Sequence, residues 1–321
     1  MARRRATRLP LQRLLSVGLG GIVLGAAGTL AAIEFLLPDE DDRPVPTTDV
    51  IDSVAPVHEA VRFGAPSLQN VKVREGYVLS YDRRLRNPSW VAEYITKASL
   101  EKSPDVNRLK ASFKGDLSTP PPFRVTPSEY HNSGYDRGHL APARDMSTSQ
   151  VAVNESFLMT NISPQVGKFN RGYWSRVEGF VRHLANQYDG VYVITGPLFL
   201  PTKDKKGDGY RVSYPILGTP LNGVAVPTHF FKVVLVAAKP SKTDKAGTKK
   251  YLAAGFVLPN EGIAEKTPLR SFLMPLDMIE RYAGLLFFEK IDRSALSPLC
   301  DDTKCELKAQ DFQRHVKAIA A

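Results

Sequence analysis

A chain of 321 residues with 43% hydrophobic and 24% charged residues can bury a substantial core, which excludes a mostly disordered protein. Of its formal charge of +10, five units come from arginines ahead of the first acidic residue (Arg3, Arg4, Arg5, Arg8 and Arg13); the remainder, about +5, favours a polyanionic partner without selecting one. Two cysteines, Cys300 and Cys305, are too few for a disulfide framework or a thiolate zinc site, and either form one small bridged loop or stay as thiols.

Residues 1–13, arginine-rich and free of acid, read as a basic segment of the kind that directs mitochondrial import. Residues 14–37 are apolar except for Ser16, Thr29 and Glu34, and as a helix rising 1.5 Å per residue they are long enough to cross a hydrocarbon core of roughly 30 Å. A retained membrane anchor and an uncleaved or removed presequence both fit this stretch; Gly21-x-x-x-Gly25 adds only a weak helix-packing signal. Residues 38–60, acidic and proline-rich, form a linker, and a single domain over 61–315 follows, with a short tail at 316–321.

Within that domain, Val73 to Asp82 and Trp90 to Thr96 predict two strands turned at Asn87-Pro88. Residues 103–133 have loop composition, and a long loop ahead of a reactive motif is often functional. Apolar residues at three-and-four spacing predict an amphipathic helix over 171–188, with Asn170 at its beginning. Strands are expected over 191–200, 224–237 and 251–258, broken at Gly196-Pro197 and at a lysine-rich turn, and a further helix over 276–288. This mixed order predicts an α+β domain on a central antiparallel sheet flanked by helices.

The chemistry gathers at Gly134-Tyr135-Asp136-Arg137-Gly138-His139. Histidine titrates near neutrality and makes a good general base, which an acid such as Asp136 can orient. Arg137 can engage a phosphate oxygen, and Gly138 is expected to let the backbone approach substrate or metal. Asn170 follows His139 by 31 residues and Glu178 follows Asn170 by eight. On an ideal helix those eight steps leave the two side chains about 80° apart in azimuth and about 12 Å apart along the axis.

Asp136-Arg137-Gly138-His139, followed by Leu140-Ala141-Pro142-Ala143, resembles the signature of the DNA/RNA non-specific endonucleases. Gln165 to Trp174 is similar to that family's metal-ligand segment, and the resemblance runs from about Gly64 to Arg314. It implies a ββα-metal fold, His139 as general base, one Mg²⁺ (or Mn²⁺) on Asn170, Glu178 contacting the ion's water, and 5′-phosphate products. It also implies Arg137 at the phosphate, Arg108 as an upstream phosphate-binding arginine, and Asp136 and Gly138 in orienting or structural roles.

Thr160 to Gln165, Thr195-Gly196-Pro197-Leu198 and Val226 to Lys232 resemble the mitochondrial, endonuclease G branch, and the paired cysteines resemble its fungal members. That branch implies a homodimer in the intermembrane space, tethered to the inner membrane through the amino-terminal segment and released to the nucleus in cell death. Two other readings stand beside it: a secreted nutritional nuclease, and a membrane-tethered nucleic-acid-binding protein with an inactive site.

Taken singly, Asn170 is an ordinary helix N-cap and Glu178 an exposed helix carboxylate; spacing from His139 lifts Asn170 above that, and only the family resemblance lifts Glu178. His131 reads as exposed and His229 as structural, while His58, His183 and His315 have no chemical context. The lysines at 239, 242, 245, 249 and 250 read as a solvated turn.

Overall fold

In the computed structural model of the protein, residues 58–205, 207–238 and 250–307 are described. The basic segment 1–13, the apolar segment 14–37, the linker as far as residue 57, the lysine turn at 239–249, His315 and the tail 316–321 lie outside the described residues. Among the described residues, no helix is long and apolar enough to cross a membrane.

The strands are β1 (Val71–Val73), β2 (Tyr77–Asp82), β3 (Asn87–Ile95), β4 (Tyr135–His139), β5 (Ile162–Val166), β6 (Val191–Leu198), the two-residue β7 (Thr202–Lys203), β8 (Tyr210–Arg211), β9 (Ile216–Leu217) and β10 (Val224–Ala225), then β11 (His229–Ala237), β12 (Tyr251–Pro259) and β13 (Leu296–Pro298). The α-helices are α1 (Gln150–Ser156), α2 (Ser175–Ala185), α3 (Leu276–Ala283) and α4 (Leu299–Asp302). Seven strands form the central sheet in the order β1-β2-β3-β6-β11-β12-β13. Its first six strands pair antiparallel, as expected, but β13 runs parallel to β12, so the sheet is mixed.

Both faces of this sheet are covered, which explains why β11 is apolar on both faces, with Lys232 the one charge inside it, instead of alternating. Phe230, Val234 and Val236 enter the core shared with Trp174, Val177 and Leu184 of the long helical segment. Phe231, Val233 and Leu235 enter the opposite core with Ile279 of α3 and with Phe287. Each such side chain contributes about 1.5–3 kcal/mol on leaving water.

Several sequence boundaries move, each for a local reason. Asn87-Pro88 is not a turn but the start of β3, where Pro88 faces Tyr81 beside a register shift that spares the ladder its missing N–H. The turn lies just before it: Asp82 Oδ1 accepts from the N–H groups of Arg84 and Leu85 (2.7 and 3.0 Å), and Arg86 takes a left-handed φ of 53°. Gly196-Pro197 does not break β6; a Cβ on Gly196 would lie 2.5 Å from the Phe231 ring, so the glycine admits a neighbour from β11. The span expected over 224–237 is two strands, β10 and β11, parted around Pro227. α3 stops at Ala283 because Gly284 adopts φ 66° and returns its N–H to the Glu280 carbonyl at 2.8 Å. Cys300 and Cys305 are joined in a disulfide.

Candidate active site

Apart from the central sheet, β4 pairs antiparallel with β5, with Asp136 opposite Gln165, Gly138 opposite Ser163 and His139 opposite Ile162. Asn161 clamps the chain immediately beyond His139: its Oδ1 accepts from Ala141 N–H (2.9 Å) and its Nδ2 donates to the carbonyls of Ala141 (2.9 Å) and Ser156 (2.8 Å). A Cβ on Gly138 would sit 2.0 Å from Oε1 of the fully buried Gln165, so the glycine makes room for an internal side chain, a structural reason for its presence in the motif.

His139 stands at the end of β4 between two aromatic walls, with Phe113 at 5.3 Å and Phe157 at 4.8 Å between ring centroids. Each wall carries an exposed arginine over its ring: Arg137 at 4.5 Å over Phe113, and Arg108 at 5.8 Å over Phe157. Its Nε2 is buried and has no hydrogen-bond partner among the described residues. Burial, and secondarily the positive charge of Arg108, hold the imidazole pKa down to about 3. The ring is therefore neutral across the physiological range.

Asn170 is not at a helix start. The helical segment begins at Gly167 and widens into a π-helical turn, Phe169–Trp174, before settling into α2. Trp174 and Phe169 anchor the turn from below, in contact with Phe230, and the buried Lys232 ammonium lies 4.9 Å from the Trp174 ring while donating to Thr195 Oγ1 at 2.6 Å. From above, Asn170 Nδ2 donates to Asp136 Oδ2 (2.9 Å), and Arg171 Nη1 donates to Asp136 Oδ1 (2.8 Å). Both Asp136 carboxylate oxygens are thereby engaged, and Asn170 spends its amide nitrogen on that contact and keeps its amide oxygen as the remaining acceptor.

The wide turn also revises the helical azimuths. It counts as one residue inserted, so eight steps from Asn170 to Glu178 turn like seven, about 700°, which brings the two side chains within about 20° of one line instead of 80°. Both line one cleft of about 240 Å³, together with His139, Arg137 and Arg108. Five of the seven residues singled out in the sequence therefore meet in one hollow; Asp136 lines the hollow beside it, and Gly138 is buried. Burial pushes the Glu178 carboxyl up to about 7, against the pull of Arg182 and Lys232.

The sequence reading missed Arg182, which lines the cleft while pairing with Asp145 at 2.9 Å. Its signal is the four-residue spacing from Glu178 on one helix face. It also missed Arg144, five residues after His139, and the buried pair Lys232 and Glu93, visible as lone charges inside apolar strands. Burial raises the Glu93 carboxyl well above its usual range and lowers the Lys232 ammonium. Among the other histidines, His58 Nδ1 accepts from Ala60 N–H at 3.2 Å and His229 bonds Thr228 at 3.0 Å. A larger hollow of about 720 Å³, beside α3 and the disulfide, is mostly apolar and holds none of these groups.

Comparisons with known proteins agree with this geometry. The chain is similar to a nuclease of Syncephalastrum racemosum, 44% identical over 78% of this chain and 77% of that one. It is similar to the mitochondrial nuclease of Saccharomyces cerevisiae, 37% identical over 94% and 93%, and to human mitochondrial endonuclease G, 41% identical over 73% and 74%. Among solved structures, an EndoG/EndoGI complex described as showing the mechanism of EndoG inhibition superposes with a TM-score of 0.69 at 42% identity, covering 75% of this chain and 95% of that one. Residues 55–294 match the family described as DNA/RNA non-specific endonuclease, and the chain belongs to it.

Proposed function

We propose that the protein is a mitochondrial endonuclease that hydrolyses the phosphodiester backbone of DNA and RNA with little sequence preference, using His139 as general base. The observation that carries this reading is the His139 imidazole, walled by Phe113 and Phe157 and held neutral down to about pH 3, with an unpartnered Nε2 beside the cleft. The neutral imidazole is the form that can accept a proton from an attacking water, and a bound phosphate, by offsetting the charge of Arg108, makes it a stronger base than the arginine alone allows. Arg137 and Arg108 flank it, and guanidinium groups suit the equatorial oxygens of a phosphate. Contacts to phosphate rather than base edges account for weak sequence preference.

The donor set suits a hard cation. No group of three His, Cys, Asp or Glu side chains gathers among the described residues, so the available donors are the Asn170 amide oxygen and the buried Glu178 carboxylate. Mg²⁺ prefers oxygen, keeps much of its water and accepts a single protein ligand; Mn²⁺ can stand in for it. Asn170 would hold the ion and Glu178 its water. When bound, the ion supplies positive charge to the phosphate and a water acidic enough to protonate the leaving 3′ oxygen, which leaves a 5′-phosphate end.

The names of the yeast and human relatives support the mitochondrial address over a secreted nutritional enzyme, and the complete cleft supports catalysis over a decayed binding protein. A homodimer, an inner-membrane tether through residues 14–37 and release to the nucleus complete the proposal. The test is cleavage of plasmid and single-stranded RNA by wild type, by His139→Ala and by wild type with chelator. Abolished cleavage in both arms with an unchanged fold is expected. Near-wild-type cleavage by the variant rejects the base, and indifference to chelator rejects the metal.

A further inference from the structure

We propose that the hollow adjoining the catalytic cleft is a nucleotide subsite, in which Tyr130, His131 and Asn132 hold the base and sugar next to the scissile phosphate. The proposal rests on the nuclease reading and says where along the trough the strand is gripped. This hollow, about 430 Å³, shares Phe113, Arg137, Asn170 and Arg171 with the cleft of His139, so the two form one continuous trough with arginines at the joint.

The lining changes character across that joint. On the catalytic side stand Arg108, Arg144 and Arg182, a lining for phosphate. On the far side stand the Tyr135 ring, the His131 imidazole, the Asn132 amide, the almost fully buried Tyr130, and the Asp136 carboxylate, whose two oxygens are taken by Asn170 and Arg171. The Tyr135 and His131 rings can stack on a base irrespective of its identity, while an amide and an imidazole hydrogen-bond base edges or a ribose hydroxyl. A polynucleotide lying in the trough would present a phosphate to the first half and a nucleoside to the second.

Tyr130 supplies an independent sign of a missing partner. The residue is 5% exposed, it lines the hollow, and its hydroxyl is buried without a hydrogen-bond partner among the described residues. Leaving a buried hydroxyl unpaired is costly, and a ligand bearing an acceptor or donor relieves that cost. The segment is also a built one. Thr126 N–H donates to Glu129 Oε2 (2.8 Å) in a capping box, Tyr135 N–H donates to Ser133 Oγ (3.1 Å), and Asn132 holds a left-handed φ of 54° between them, which keeps His131 and Asn132 exposed toward the trough.

The experiment uses the full chain as wild type, as His131→Ala/Asn132→Ala and as Tyr130→Phe, with an end-labelled single-stranded DNA of mixed sequence and its RNA counterpart. Steady-state cleavage, the distribution of cut positions and binding of the labelled strand by anisotropy are read in parallel. Both variants are expected to weaken binding and lower kcat/KM roughly tenfold, the loss falling on KM, and to flatten the preference at the position adjoining the cut. Tyr130→Phe loses no internal hydrogen bond, so its unfolding midpoint should hold while its KM rises. Unchanged affinity, KM and cut pattern in both folded variants would overturn the subsite. A wild type that cuts neither nucleic acid overturns the nuclease reading instead, and the anisotropy arm then still decides the subsite.

Discussion

Acidification should expose the cost of keeping His139 neutral. Its pKa lies at about 3 in the folded protein and near 6.5 in the unfolded chain, so between those values the unfolded state binds the extra proton. The corresponding stability is complete above 6.5 and is lost as pH falls toward 3. A gap of about 3.5 units corresponds to a limit on the order of 5 kcal/mol, of which about 2 is lost by pH 5 and about 3 by pH 4. Set against a net stability of roughly 5–15 kcal/mol for a typical domain, that is a large share.

Glu178 works in the opposite sense. Its folded pKa, about 7, exceeds the unfolded value, so its contribution is greatest below about 4.5 and is lost as pH rises through 7. Comparison with His139→Asn cancels every such group except the histidine. Urea unfolding of both proteins at pH 7 and pH 5 is the assay. Wild type should lose about 2 kcal/mol more than the variant on acidification, a midpoint difference of about 1 M. Parallel losses in the two proteins would refute the argument that the aromatic walls and Arg108 disfavour the imidazolium.

Gly138→Ala drives a methyl into Gln165 and should cost about 1–3 kcal/mol in thermal or chemical unfolding, with a further loss of activity from a displaced His139; an unchanged melting temperature would contradict the packing described. Glu178→Gln keeps size while removing the charge, and the Mg²⁺ concentration for half-maximal cleavage should rise roughly 10–100-fold, checked by titrating the metal at constant pH. Serine at both Cys300 and Cys305 opens a loop with five residues of separation and should destabilise by about 2 kcal/mol, readable as a lower urea midpoint in the oxidised protein and no difference under reductant. Arg137→Ala removes an exposed guanidinium that packs on one ring, so cleavage should fall steeply and depend less on salt while the melting temperature barely moves.

What the sequence made legible follows from how local each cause is. The Asp136–His139 motif, the Asn170 spacing and the apolar runs of β6, β11 and β12 are contiguous signals, and all survive in the fold. Boundaries failed where a side chain decided them: Asp82 closed a turn that Asn87-Pro88 seemed to announce, and Gly284 ended α3 five residues early. The packing reason for Gly138 was not legible, because Gln165 lies across a strand pair that no spacing reveals. The walls of His139 were invisible for a similar cause. Phe113 and Phe157 come from a loop and from the end of α1, and only tertiary packing brings them together. Lys232 and Glu93 were legible as oddities but not as neighbours.

The wide turn at Phe169–Trp174 sets helical regularity against competence. Straightening the turn into an ordinary α-helix at unchanged length would give a locally more comfortable backbone, yet it would restore eight full steps and swing Glu178 and Arg182 away from Asn170 by about 100°. A well-formed domain would then carry its acid and its arginine on the wrong side, whereas deleting one residue along with the wide turn keeps seven steps and the same alignment. In this stretch the width of the turn and the number of residues are therefore constrained together.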